Sequence, residues 1–123
     1  MGMTAKEIMK YLDTISGDIE YVEFDFGAYP SYVSSWRGSY DLPCIVYDID
    51  HLNGKDSLSR FKEMIKNIDG KEVFGYKGGD FILSEDSVIY IVPDSSRAQE
   101  CVVDRLEVVN EYKVVIHTKY EEY

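Results

Sequence analysis

Apolar residues recur at helical spacing near the start of the chain, at Ile8, Met9, Leu12 and Ile15. Thr4-Ala5-Lys6-Glu7 precedes them as a capping box, in which a hydroxyl meets a backbone N–H and a carboxylate reaches back. This predicts a first helix over residues 4–15, stopped by Ser16-Gly17. The segment IEYVEFDF then alternates, with Val22, Phe24 and Phe26 on one face and Tyr21, Glu23 and Asp25 on the other, the pattern of a half-buried strand. Gly27 and Pro30 interrupt it, YVSSW extends again, and Pro43 opens the short apolar run CIVYDI. After turn chemistry from Asp50 to Gly54, Asp56 or Ser57 caps a second helix whose Leu58, Phe61, Ile65 and Ile68 share a stripe, ended by Gly70.

The rest of the chain reads as strands. KEVFGY and GGDFILS are followed by a tight turn at Glu85-Asp86, then SVIYIVP, the polar stretch DSSRAQ, and two long alternating runs, ECVVDRLEVV and EYKVVIHT, joined near Asn110. The closing KYEEY is expected to fray. Neighbouring strands joined by short turns pair antiparallel, and two helices with one apolar stripe each need one surface to cover. The expected architecture is α+β: a single domain over residues 1–123, with an antiparallel β-sheet of about six strands and two amphipathic helices on one face.

Charge narrows the function classes. With 23 acidic and 13 basic residues the net charge is −10, which repels nucleic acid and argues against general nucleic-acid binding. No run approaches the apolar length of a membrane span, and the N-terminus lacks the apolar core of a signal peptide, so no membrane association and a cytoplasmic location are expected. Cys44 and Cys101 lie singly in apolar stretches and read as small buried hydrophobes. His51 and His117 are equally isolated, so neither a metal nor a cofactor is expected. There is no GxSxG, no HExxH and no nucleophile–base spacing, so no catalytic residue is assigned and the protein reads as something other than an enzyme.

Three constellations could bind a ligand. In Trp36-Arg37-Gly38 with Tyr40, two flat rings suit a base, a guanidinium suits a phosphate, and a glycine lets backbone come close; equally, Trp36 could be core and Arg37 paired with a carboxylate. Gly75 to Phe81 sets three glycines around Lys77 and offers Phe81 as a stacking surface, or is simply a hairpin turn with a surface lysine. Ser95-Ser96-Arg97, with Arg105 further on, could complete an anion site or be an ordinary polar turn.

The order FDFGAYPSYVSSWRGSYDLPCIVY, a helix, then FGYKGGDFILSEDSVIYIVP resembles a family of small phage proteins, the Thoeris anti-defence type that acts as a signal sponge. The resemblance covers residues 24–93. It implies a non-catalytic oligomer, a dimer or hexamer with pockets between subunits, working in the host cytoplasm. Such proteins sequester cyclic ADP-ribose isomers made by bacterial TIR-domain proteins, and some also hold cyclic oligonucleotides. Carried onto matching positions, it points to Trp36, Arg37 and Tyr40 from the first motif and Lys77 and Phe81 from the second, with Phe81 stacking on a base. Arg97 and Arg105 are added on chemistry alone. The chain departs from a guanidinium-rich pocket in having only four arginines, Arg37, Arg60, Arg97 and Arg105. Two rivals stand beside this reading: an acidic protein-binding inhibitor of a host defence nuclease, favoured by the carboxylate excess, and a nucleotide-processing enzyme.

Overall fold

The computed structural model describes residues 2–15, 19–50, 57–75 and 78–120. Helix α1 (Ala5–Leu12) starts as the capping box requires: the Glu7 N–H donates to the Thr4 hydroxyl at 3.1 Å and the Thr4 N–H to Glu7 Oε1 at 3.0 Å. It ends at Leu12, earlier than the apolar spacing suggests. Past that point the Thr14 hydroxyl donates to the Tyr11 carbonyl, a local bond that competes with helix continuation. Helix α2 (Leu58–Lys66) is capped by Ser57, whose hydroxyl accepts from the Arg60 N–H, and its stripe Leu58, Phe61, Ile65 with Ile68 just beyond is fully buried. The expected stop at Ser16-Gly17, the cap at Asp56, most of the Asp50–Gly54 turn and His51 lie outside the described residues.

Among the described residues eight strands follow one another as β1 (Tyr21–Phe24), β2 (Tyr29–Ser35), β3 (Pro43–Asp48), β4 (Glu72–Phe74), β5 (Asp80–Ile82), β6 (Tyr90–Val92), β7 (Cys101–Val108) and β8 (Lys113–Tyr120). Six form one sheet in the order β1-β8-β7-β6-β3-β2, while β4 and β5 make a separate hairpin. The α+β class holds, but the sheet is mixed rather than purely antiparallel: β1 runs parallel to β8 and β3 parallel to β6. Short turns do enforce antiparallel pairing for β2–β3 and β7–β8. Between β3 and β6, however, the chain makes a long crossover through α2 and the hairpin, the kind of connection a parallel pair needs. The end of β8 does not fray at Lys119 and Tyr120, which pair with Val102 and Cys101; residues 121–123 lie outside the described set.

The sheet is strongly curled. In a flat sheet with strands about 4.8 Å apart, β1 and β2 at the two edges would stand about 24 Å from each other. They are joined by a tight turn in which the Phe24 N–H donates to the Ala28 carbonyl at 2.7 Å, and the five steps from Phe24 to Tyr29 reach at most about 18 Å. The edges must therefore swing toward one another around the core. Helix α2 covers the seam, with the Leu58 N–H bonded to the Ile19 carbonyl on one side and Arg60 Nη2 donating to the Ser31 carbonyl of β2 at 2.8 Å on the other. That second bond also occupies part of an edge strand that would otherwise invite pairing.

Both helices pack into one core with Val22, Phe24, Ile45, Ile91, Val103, Leu106, Val114 and Ile116. A register shift between Val103 and Arg105 keeps this arrangement possible. Strict alternation from Cys101 and Val103 would turn Arg105 and Glu107 inward; one extra residue resets the parity, so Leu106 is buried and both charges face out. On the opposite face Trp36, Cys44, Val46, Tyr90, Val92 and Val102 form a second, smaller cluster. Strands β3 and β6 are thus buried on both sides, which explains their unbroken apolar runs.

Both cysteines are buried as free thiols. Burial pushes the Cys44 thiol up to about 12. An unfolded chain releases that proton near its ordinary value of about 8.5, whereas the folded protein retains it, so folding loses stability as pH rises from there toward 12. Urea midpoints should fall between pH 8 and pH 10.5 in the parent more steeply than in Cys44→Ala; equal slopes would remove Cys44 from the account.

Candidate functional site

The turn from β2 to β3 is held by its own backbone: the Trp36 N–H donates to the Leu42 carbonyl at 2.7 Å, and the Ser39 N–H to the Trp36 carbonyl at 3.1 Å. Trp36 lies parallel on Tyr90, with ring centroids 3.7 Å apart and planes 3° off parallel. Its indole N–H donates to the Gln99 carbonyl at 3.1 Å. A Cβ placed on Gly38 would sit 2.6–2.8 Å from three adjacent carbons of the indole, which puts the glycine over the ring face rather than at its rim. Tyr90 already covers one face, so Gly38 covers the other. The indole is sandwiched and 7% exposed, leaving neither face for a base. The expectation that Trp36 stacks on a ligand is therefore corrected: it is a packing residue, and Gly38 follows it because no larger side chain fits there.

The other half of that segment does meet the glycine-rich motif. Tyr40 and Phe81 lie with ring centroids 5.6 Å apart and planes tilted by 41°. A Cβ on Gly75 would come within 3.3 Å of the Tyr40 ring, 3.1 Å of the Phe81 ring and 2.9 Å of the Gly78 carbonyl, so both rings rest against bare backbone. Strands β4 and β5 form the hairpin expected of this stretch, closed by the Gly75 N–H on the Gly79 carbonyl, with Gly78 and Gly79 at φ of +95° and +90°. Arg37 is half-buried three residues before Tyr40. Lys77 lies outside the described residues. Phe81 also packs against the helix-side core, whereas Trp36 belongs to the cluster on the far face, so these two rings cannot flank one base.

Arg97 and Arg105 are elsewhere. Arg97 is exposed in the 93–100 loop with Nε 3.8 Å from Asp94, whose carboxylate also accepts from the Ser96 N–H and hydroxyl; those bonds hold Asp94 below the usual carboxylate range and make the loop a closed polar turn. Arg105 stands on β7 opposite His117, with Nη1 3.9 Å from Glu107, which also accepts from His117 Nε2 at 2.9 Å. Together with Lys113–Glu23 at 2.7 Å and Lys119–Asp104 at 3.3 Å it forms a charged strip over β7, β8 and β1. Strand β6 separates β7 from β3, so the addition of Arg105 to the Tyr40–Phe81 corner is not supported by its position.

Sequence reasoning missed a cleft of about 350 Å³ at the strand ends, lined by Phe26, Tyr47 and Tyr120 together with Asp25, Gln99 and Thr118. Its rings come from three distant segments, and no local motif joins them. Among the described residues no group of histidine, cysteine and carboxylate side chains is arranged to hold a metal ion, and no helix is long and apolar enough to cross a membrane. The chain matches no family model, no curated protein and no solved structure.

Proposed function

We propose that this is a binding protein that captures a nucleotide-derived signal, a cyclic ADP-ribose isomer or a cyclic oligonucleotide, and releases it unaltered, as a phage counter to host defence. The observation that carries the reading is the meeting of Tyr40 and Phe81 over the Gly75 backbone, which joins the two motifs that the resemblance singles out. Half-buried rings beside bare backbone can take a base, and Arg37, three residues before Tyr40, carries a planar fork that suits phosphate oxygens. The resemblance places such pockets between subunits, so the proposed active form is a homo-oligomer. Stoichiometric capture needs no nucleophile. Cyclic ADP-ribose incubated with the protein and released by heating should be recovered unchanged, and any hydrolysis product would place the protein among the nucleotide-processing enzymes.

A second reading, the acidic protein-binding inhibitor of a host nuclease, is favoured by one feature. The outer face of the β4–β5 hairpin exposes Phe74 at 69% and Ile82 at 68%, flanked by the exposed Glu72 and Asp80. An apolar pair ringed by carboxylates suits a basic protein surface. If this reading holds, Phe74→Ser with Ile82→Ser abolishes a salt-sensitive pull-down of a host protein; an undiminished pull-down would remove it.

A further inference from the structure

The cleft at the strand ends has a chemistry unlike that of the Tyr40–Phe81 corner. Phe26, 49% exposed, stacks on Phe24 with centroids 5.3 Å apart and meets Tyr47 edge to face at 4.9 Å, so its orientation is fixed from two sides. Tyr120, 67% exposed, stands at the end of β8 and supplies a third ring. Asp25 lines the same cleft. Its carboxylate is held in place by the Thr118 N–H at 3.0 Å and the Thr118 hydroxyl at 2.9 Å, with His117 Nδ1 4.0 Å away. The remaining lining is Ile91, Cys101 and Gln99, so among the described residues no lysine or arginine lines the cleft. The Arg97 guanidinium, whose charge reaches the Tyr47 hydroxyl, stands 3.8 Å from the Asp94 carboxylate.

We propose that this cleft is a binding site for a small organic cation bearing a methylated or quaternary ammonium group. Aromatic faces attract such a cation through their quadrupoles, and a quaternary nitrogen requires no hydrogen bonds in return, which suits a site whose one fixed charge is a carboxylate. The volume of about 350 Å³ lies within the range of small-molecule clefts. The overall charge of −10 favours the approach of cations and opposes that of anions. The ligand class therefore differs from the anionic signal of the proposed capture site, and the two sites can be tested separately.

The protein carries its own reporter. Trp36 is the only tryptophan, and its N–H is held by the carbonyl of Gln99, a residue that lines the cleft. Titration with choline should change Trp36 emission saturably, and calorimetry should give an affinity at least about tenfold above that of 3,3-dimethylbutan-1-ol, the uncharged isostere of choline. Asp25→Asn keeps an acceptor for Thr118 and removes the charge; Tyr120→Ala removes an exposed ring without opening the core. Each should weaken choline binding about tenfold while the circular dichroism melt stays that of the parent. Equal affinity for the uncharged isostere, undiminished binding in Asp25→Asn, or no saturable response at millimolar choline would overturn the proposal. Failure of cyclic ADP-ribose to bind bears only on the corner, because Arg37→Ala leaves this cleft untouched.

Discussion

Trp36→Ala should lower the unfolding free energy by about 3–5 kcal/mol, the typical cost of emptying a large aromatic site. A domain of this size has only about 5–15 kcal/mol in total, so the loss would be a large share of its stability. The reason is local: the indole fills the second core between Tyr90 and Gly38 and anchors the 93–100 loop through its bond to the Gln99 carbonyl. Gly38→Ala tests the same sandwich from the other side. Its new Cβ would lie 2.6 Å from the ring, and the required shift of an otherwise well-packed indole should cost about 1–3 kcal/mol. Both values can be read from urea unfolding followed by circular dichroism, since Trp36→Ala removes the fluorophore. A neutral Gly38→Ala would show that the ring face is open after all, and would restore Trp36 as a candidate stacking surface.

The second large effect concerns binding alone. Arg37→Ala should weaken capture of cyclic ADP-ribose about tenfold to a hundredfold, the cost of losing a charge-assisted bond to a phosphate. Arg97→Ala and Arg105→Ala should leave affinity unchanged, since each guanidinium sits beside a carboxylate in an exposed position away from the corner. Calorimetry on the three variants separates them. A loss confined to Arg97 or Arg105 would move the site off the Tyr40–Phe81 corner.

What could be read along the chain was whatever short-range chemistry decides. Thr4 and Glu7 announce a helix start, Ser57 caps α2, the stripe Leu58, Phe61, Ile65 and Ile68 finds its core, and the glycines of 75–79 make a hairpin. The parallel pairings of β1 with β8 and β3 with β6 were hidden, because their partners are brought together by the whole topology and no turn residue encodes them. The inward set of β7 was hidden in part, since one register shift at Asp104 reverses the parity that simple alternation assigns. The site was half legible. Tyr40 and Phe81 do come together, but the same Trp-Arg-Gly spacing that suggests a ligand clamp is also what a buried indole under a glycine produces, and only the packing distinguishes them. The cleft of Phe26, Tyr47 and Tyr120 had no signature at all, because its three rings are far apart in sequence.

Native mass spectrometry of the intact protein with a panel of cyclic ADP-ribose isomers and cyclic oligonucleotides tests the capture reading most directly. The predicted result is an oligomer that gains the mass of whole ligand in a fixed ratio to subunits and loses that gain in Arg37→Ala. A spectrum in which every member of the panel leaves the protein mass unchanged would contradict it.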